Sequence, residues 1–373
     1  MKTMITYVAM DVHKKQHEVA VMYGDSGELQ RFSVANTEKE LTKMVKRIRR
    51  QSSNEIHVCY EAGVCGFVLK RRMEKLGCVC QVIAPSLVLR KPGDRVKTDR
   101  RDANYLLDQL IAGQLTEVYA PDPAQEADRE LTRCRQSAQE QLKRARQQLN
   151  SFLVRHGYLY CGVQLWTGKH QEWLHALVFD VPRLGAIFEE YSSEVQHCVQ
   201  RLASLDKQLE QMARSQPYKA AVGVLRCLRG IDTLTAITVL TEIFEFGRFE
   251  SPRALMAYLG VTPSEDSSGE RRRPGGITKA GNHRVRRLLT ETAWHYRHRH
   301  QVSKALAARR QDQPAWAIDL ADRAAVRLHR RYRHLIERGK AAHVAIIAVV
   351  REMAGFLWAM LRQLHQQPHN PQG

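Results

Sequence analysis

The chain has 373 residues, 58 Lys and Arg against 39 Asp and Glu, and a formal net charge of +19. A hydrophobic content of 43% with 26% charged residues excludes a wholly disordered chain, and the length allows roughly two or three domains of about 150 residues. The charge excess points to a polyanionic partner, most simply nucleic acid. An anionic membrane surface fits the charge as well.

No signal peptide or spanning segment is visible. Asp11 and His13 interrupt the first apolar run, and Arg351 and Glu352 divide the run 344–361, which reads as a buried helix. The eight cysteines are scattered without a CxxC pair, so they read as reduced thiols of a cytosolic protein, not as a disulfide frame or zinc ribbon.

In chain order, residues 1–120 alternate strands and helices. Apolar runs at 5–12, 18–23 and 30–34 predict three closely spaced strands, the second and third separated by the turn signal Gly24-Asp25-Ser26-Gly27. Helical spacing of Leu41, Met44, Val45 and Ile48 predicts a helix over 41–48. A strand at 56–60, a helix at 67–76, a strand at 80–83, a helix at 98–110 and a strand at 117–120 follow. This order predicts an α/β sheet with one antiparallel side.

Residues 121–217 change character. A Pro-free stretch at 125–155 carries an apolar stripe through Ala138, Leu142, Ala145, Leu149 and Phe152. Val195, Cys198, Leu202, Leu205, Leu209 and Met212 step by three and four in a heptad seam. The pair reads as an antiparallel coiled-coil arm around a middle segment, 157–193. The alternative is a two-helix piece of a bundle core. Residues 218–366 read as helical, and 367–373 as a disordered tail. The turn at 227–236 resembles a helix-hairpin-helix, whose backbone N–H groups meet phosphate; an ordinary αα-hairpin reads equally well.

Four carboxylates of the first domain stand out. Asp11 and Glu61 end strands, and residues past strand ends line the rim where sites form in α/β sheets. Asp99 and Asp102, three residues apart within Lys97-Thr-Asp-Arg-Arg-Asp-Ala103, share a helix face. Four converging carboxylates repel unless divalent cations compensate them, and hard oxygens suit Mg²⁺ or Mn²⁺. Two such ions about 3.5–4 Å apart clamp the oxygens of a phosphodiester. Each acid also has a structural reading: Asp99 as a helix cap, Asp102 as an arginine partner, Glu61 as a cap of the 63–66 loop.

The span 269–310 holds 12 Lys and Arg against 2 Glu, which is half of the chain's excess charge. Interleaved Trp294 and Tyr296 favour phosphate contact over a merely solvated face. Its candidates are Arg271, Arg272, Arg273, Lys279, Arg284, Arg286 and Arg287. His295, His298 and His300 sit among arginines, which speaks against a metal site there. The glycine-rich loop preceding the run carries Ser267 and Ser268. A serine there can attack a phosphodiester if its proton is removed and arginines stabilise the developing charge. A flexible polar loop is the alternative.

Taken together, Tyr7–Asp11 (YVAMD), Cys59–Gly63 (CYEAG), Lys97–Ala103 (KTDRRDA), Leu228–Ala236, Ala257–Pro263 (AYLGVTP), Ser268-Gly269 and Ile277–Gly281 (ITKAG) resemble, in order and spacing, the bridge-RNA-guided transposases of the insertion-sequence one-ten family, which include the Piv-type DNA invertases. The resemblance spans most of the chain. It implies an N-terminal RNase H-like (RuvC-like) domain at 1–120, a coiled-coil middle at 121–217 and a helical transposase domain at 218–366. It implies a metal-binding tetrad of Asp11, Glu61, Asp99 and Asp102, and a catalytic serine five positions after the LGVTP proline, which is Ser268, with Ser267 adjacent. Two departures are Asp266, where a family member can carry an aromatic, and Leu228-Arg-Gly-Ile-Asp232, which lacks the usual Pro-Gly-Ile-Gly.

The implied activity is cutting and rejoining of donor and target DNA through a phosphoserine, with Mg²⁺ or Mn²⁺ as cofactor. A structured guide RNA and a dimer or tetramer are implied partners, and the expected location is the cytoplasm, at the nucleoid. A site-specific invertase, a water-using nuclease indifferent to Ser268, and a non-catalytic nucleic-acid-binding relative are the competing functions.

Overall fold

The computed structural model describes residues 4–88, 99–265 and 274–366, with side chains for all of these except 99–101, 265 and 274. It divides into two compact units, Met1–Asp122 and Pro123–Gly373.

The first unit is a five-stranded sheet. β1 (Ile5–Val12), β2 (Gln16–Met22) and β3 (Leu29–Ala35) form an antiparallel meander; β4 (Glu55–Glu61) and β5 (Val79–Ile83) add in parallel, giving the order β3-β2-β1-β4-β5. Helix α1 (Glu38–Gln51) starts where Thr37 accepts a hydrogen bond from the Glu40 N–H at 3.3 Å. It buries Leu41, Met44, Val45 and Ile48, the residues its spacing singled out. Helix α2 is Val68–Lys75, and α3 is Asp99–Ile111.

Strand alternation divides the core into two layers. Val8, Met10, Val58, Tyr60 and Val82 pack with α1 and α2 on one face. Ala9, Cys59 and Ile83 pack with Ala103, Leu106, Leu107 and Leu110 of α3 on the other. The strand expected at 117–120 is reduced to a single bridge between Ile83 and Glu117. Pro121 and Pro123 follow too closely for a longer ladder, because proline cannot donate to one.

In the second unit, α4 (Pro123–Arg155) and α6 (Pro182–Arg214) are each 33 residues long and pack along one another. The predicted stripes are buried: Ala138, Leu142, Ala145, Leu149 and Phe152 on α4, Val195, Cys198, Leu205 and Leu209 on α6. Helix α5 (Gly168–His175) lies between them in sequence and joins an aromatic cluster of Phe152, Tyr158, Phe179 and Phe188.

The other ends of α4 and α6 enter a helical bundle through Leu131, Leu209 and Ala213. The bundle comprises α7 (Lys219–Leu225), α8 (Thr233–Ile243), α9 (Pro252–Tyr258), α10 (His283–Ala293), α11 (Lys304–Arg310), α12 (Ala315–Glu337) and α13 (Ala342–Gln366). Helix α13 is long and apolar enough to cross a membrane by length and composition alone. It is instead a core helix. Ile346, Val349, Val350, Met353, Leu357 and Met360 are buried in the bundle, while Glu352 turns outward to Arg327 and Arg331 at 2.7 and 3.4 Å. Burying each large apolar side chain contributes about 1.5–3 kcal/mol.

The C-terminal part is not wholly helical as expected. β6 (Pro263–Glu265) and β7 (Pro274–Ile277) form an antiparallel ribbon that pairs Pro263 with Ile277 and Glu265 with Pro274. The strands are too short and too rich in Pro and Gly for periodicity to reveal them.

Candidate active site

In the first unit, Met10 pairs with Tyr60 in parallel register, so Asp11 and Glu61 follow side by side at the ends of β1 and β4. Alternation sets both on the face shared by Ala9, Cys59 and α3. Asp99 is the first residue of α3. Asp102 precedes Ala103, which is buried against that same face. Arg31, opposite Ala20 in the ladder, donates to Asn104 Oδ1 at 2.8 Å and fixes the early turns of α3 over the meander side of the sheet. The register therefore sets Asp11 and Glu61 on the sheet face that α3 covers, and Asp99 and Asp102 belong to the first turn of that helix.

Asp11, Glu61 and Asp102 are half-buried, and His13 Nε2 lies 3.6 Å from Asp11 Oδ2. Carboxylates alone make a donor set that suits a hard divalent cation. Among the described side chains, no three His, Cys, Asp or Glu are gathered into a ready metal cluster; the side chain of Asp99 lies outside the described ones.

In the second unit, the two motifs that flank the serine loop are locked backbone to backbone. Thr278 N–H donates to Thr262 O at 2.9 Å, Lys279 N–H to Gly260 O at 3.1 Å and Asn282 N–H to Tyr258 O at 3.2 Å. Two glycines permit this approach. Gly260 has φ +63 and Gly281 φ +81, and a Cβ on either would stand 1.9 Å from a carbonyl oxygen, of Ala280 and Tyr258 respectively. The ribbon starts from this junction. The residues joining its strands, 266–273, include Ser267, Ser268, Arg271, Arg272 and Arg273 and lie outside the described residues.

Asn282 caps α10 by accepting from the N–H groups of Arg284 and Val285, both at 3.1 Å. Its amide donates to Glu242 Oε2 at 2.8 Å. Glu242 is buried, with 1% of its side chain exposed, and accepts two hydrogen bonds from Arg133 at 2.8 and 3.1 Å. Burial alone would raise its carboxyl pKa; the Arg133 guanidinium, with Asn282 and Arg284, outweighs burial and holds it below the ordinary value. This network ties α4, α8 and the start of α10 together. The motif reading missed Glu242, although a lone acid in the apolar run Thr233–Ile243 is the mark of a buried ion partner.

The predicted basic residues divide by what they touch. Lys279 is exposed. Arg287 is about half-exposed, 3.6 Å from Glu140 and 3.7 Å from Glu291. Arg284 donates to Gln136 and lies 3.8 Å from Glu242. Arg286 serves as a brace: its guanidinium donates to the carbonyls of Leu259 and Ala280 at 2.8 and 3.3 Å, behind the serine loop's base. Farther along the run, Arg309 and Arg310 donate to the carbonyls of Ile231 and Cys227 at 2.7 and 3.1 Å and hold the hairpin turn at Gly230. His300 pairs with Asp322 at 3.1 Å, and His298 Nε2 accepts from Arg297 at 2.8 Å.

Known families match both units. A DEDD transposase model of the IS110 type matches residues 8–157, which include all four carboxylates. A model described as the transposase IS116/IS110/IS902 family matches residues 222–308, which include the locked junction and the serine loop. Sheet, carboxylates and matches define a DEDD-type DNA transposase, an enzyme that cleaves and joins DNA strands.

The chain belongs to the IS110 family. It is 41% identical over 362 residues to a putative transposase, y4qE, of Sinorhizobium fredii, covering 96% of this chain and 89% of that protein. It is 35% identical over 338 residues to the transposase for insertion sequence element IS1533 of Leptospira borgpetersenii, covering 90% and 97%.

Proposed function

We propose that the chain recombines donor and target DNA through a covalent phosphoserine formed by Ser268, guided by a structured RNA. The observation that supports this reading is the locked junction of Gly260 and Gly281 and the ribbon that starts from it, whose two strands flank in sequence the segment with Ser268 and three arginines. A rigid base under a catalytic loop limits the ways the loop can misplace its nucleophile. A phosphoserine ester also keeps the energy of the broken phosphodiester, so rejoining needs no external energy source.

Asp11, Glu61, Asp99 and Asp102 would hold Mg²⁺ or Mn²⁺, which would supply Lewis-acid charge and lower the pKa of a hydroxyl it bound. The chain's own residues do the rest. Ser268 Oγ forms the bond to phosphorus and a strand hydroxyl leaves. Arg271, Arg272 and Arg273 neutralise the charge that develops on the phosphoryl oxygens. Lys279 and Arg287 hold flanking phosphates. The exposed apolar side chains Leu159, Val163, Val178 and Val181 at the far end of the α4–α6 pair support assembly into a dimer or tetramer.

The test is a denaturing gel of purified protein with the element's flanking RNA, Mg²⁺, and donor and target DNA. A protein–DNA adduct is expected for the wild type and absent for Ser268→Ala and Asp11→Ala. Cleavage that persists without adduct in Ser268→Ala would replace the phosphoserine with a water-using nuclease. Adduct formation that is unchanged when the RNA is omitted would remove the guide.

A further inference from the structure

A cavity of about 830 Å³ lies between α4, the start of α8 and α10. That volume falls in the range of small-ligand and cofactor sites. One wall is a face of α4, where Lys143, Arg146, Gln147 and Asn150 recur at helical spacing. Trp166, from the connection before α5, and Arg287, from α10, complete it.

Three observations single out the Arg146–Trp166 pair. The guanidinium of Arg146 sits 4.9 Å from the centroid of the Trp166 ring. Its Nε is buried with no hydrogen-bond partner among the described residues, a costly arrangement for a cation. Trp166 has φ +64, a left-handed backbone that a bulky residue adopts only where its surroundings impose it, and such strain gathers at binding sites. Neither Arg146 nor Trp166 has a part in the serine or carboxylate chemistry.

We propose that this cavity binds an unpaired nucleotide of a nucleic-acid strand. The base stacks on the Arg146–Trp166 pair, Gln147 and Asn150 meet its edge, and Lys143 takes the neighbouring phosphate. Aromatic and guanidinium planes with amides beside them are the chemistry by which splayed-out bases are held. A base inside a duplex is already stacked on its neighbours, so the site selects single strands. RNA and DNA both carry this chemistry. The inference rests on the chain acting on nucleic acid, which its family membership establishes, and not on Ser268; loss of the adduct reading leaves it standing.

The test uses the full chain and fluorescence anisotropy with a labelled 12-nucleotide RNA, the DNA strand of the same sequence, and the corresponding DNA duplex. Trp166→Ala should weaken binding of one single strand about 10-fold, as loss of one stacked base does, while Trp166→Phe keeps the affinity within about threefold. Arg146→Gln should follow Trp166→Ala, and the duplex should change less than about twofold with each. Whichever strand shows the loss identifies the ligand as RNA or DNA. A photocrosslink from 5-iodouracil in that strand should map to Trp166. Should Trp166→Ala fail to fold, Arg146→Gln and the crosslink decide the matter. Equal losses on strand and duplex, unchanged single-strand affinity in the folded variants, or crosslinks only outside the cavity would overturn the proposal.

Discussion

Replacing Glu242 by Gln tests the idea that the serine loop's base is held by a buried charge network. The carboxylate has 1% of its side chain exposed and two hydrogen bonds from Arg133, one from Asn282 and a charge contact with Arg284. Gln keeps the shape but removes the charge, and its NH₂ faces donors. Breaking a buried ion pair by neutralising one partner costs about 3–5 kcal/mol. Arg133 keeps 34% of its side chain exposed, so water offsets part of this, and the lower end, about 3 kcal/mol, is expected. For a unit of this size that is a fall in Tm of roughly 6–12 °C.

Thermal unfolding followed by circular dichroism reads the shift. Glu291→Gln provides the control, because its partner Arg287 is about half-exposed and the acid more so, which limits that pair to about 0.5 kcal/mol. Equal shifts for the two variants would refute the reasoning. The pH dependence gives a second check. The folded pKa of Glu242 lies below its ordinary value, so its contribution is complete above about pH 4.5 and is lost as pH falls through the folded value. Wild type should lose stability in that acid window relative to Glu242→Gln, and parallel curves would contradict the network.

Other expectations follow from single residues. Gly281→Ala should cost at least about 3 kcal/mol in chemical denaturation, whereas Gly339→Ala, with φ +72 and nothing within 4 Å, should cost only the left-handed backbone penalty of about 1–2 kcal/mol; similar costs would mean that the junction yields. Arg286→Gln should lower stability by about 1.5–3 kcal/mol through its lost carbonyl bonds, a loss read from the same denaturation curves. Arg287→Gln should leave stability nearly unchanged and reduce the slope of log binding against log salt on duplex DNA by about 0.9, the value for one phosphate contact. Asp102→Asn should abolish strand cleavage in Mg²⁺ while leaving the melting of the first unit within about 1 kcal/mol, since the acid is only half-buried; retained cleavage would remove it from the tetrad.

Much of this architecture is legible in the sequence because local signals and packing agree. The stripe Leu41, Met44, Val45 and Ile48 announces α1, and the same four residues are buried. The heptad steps from Val195 to Leu209 announce the face of α6 that meets α4. The family motifs marked Asp11, Glu61, Asp99 and Asp102, and strand register explains why Asp11 and Glu61, fifty residues apart, lie on one sheet face.

The illegible parts are those in which distant backbone decides. The ribbon at Pro263–Glu265 and Pro274–Ile277 has too few residues for a period. Net charge shows that 269–310 is basic but not which arginines are spent internally. Arg286, Arg309 and Arg310 turned out to satisfy carbonyls, and only the folded contacts distinguish them from Arg287.

This distinction changes how the basic run is understood. A guanidinium carries five donors in a planar fork, so an arginine that caps two carbonyls acts as a backbone clamp as much as a charge. Arg309 and Arg310 clamp the turn at Gly230, where a Cβ would meet His295 at 2.7 Å, and Arg286 clamps the junction at Gly260 and Gly281. Both clamped turns are glycine turns with positive φ. The arginines thus hold in place the backbone on which the serine loop and the hairpin turn depend, and their charge, desolvated at Arg286 and Arg309, stays available to anions only indirectly. Exposed cations such as Lys279 and Arg287 are the ones the proposed function assigns to phosphate. A mutational scan of the run should therefore separate into two sets, one that lowers stability with little change in the salt slope and one that does the reverse. A scan in which every arginine lowered both together would show that the two tasks are not divided among these residues.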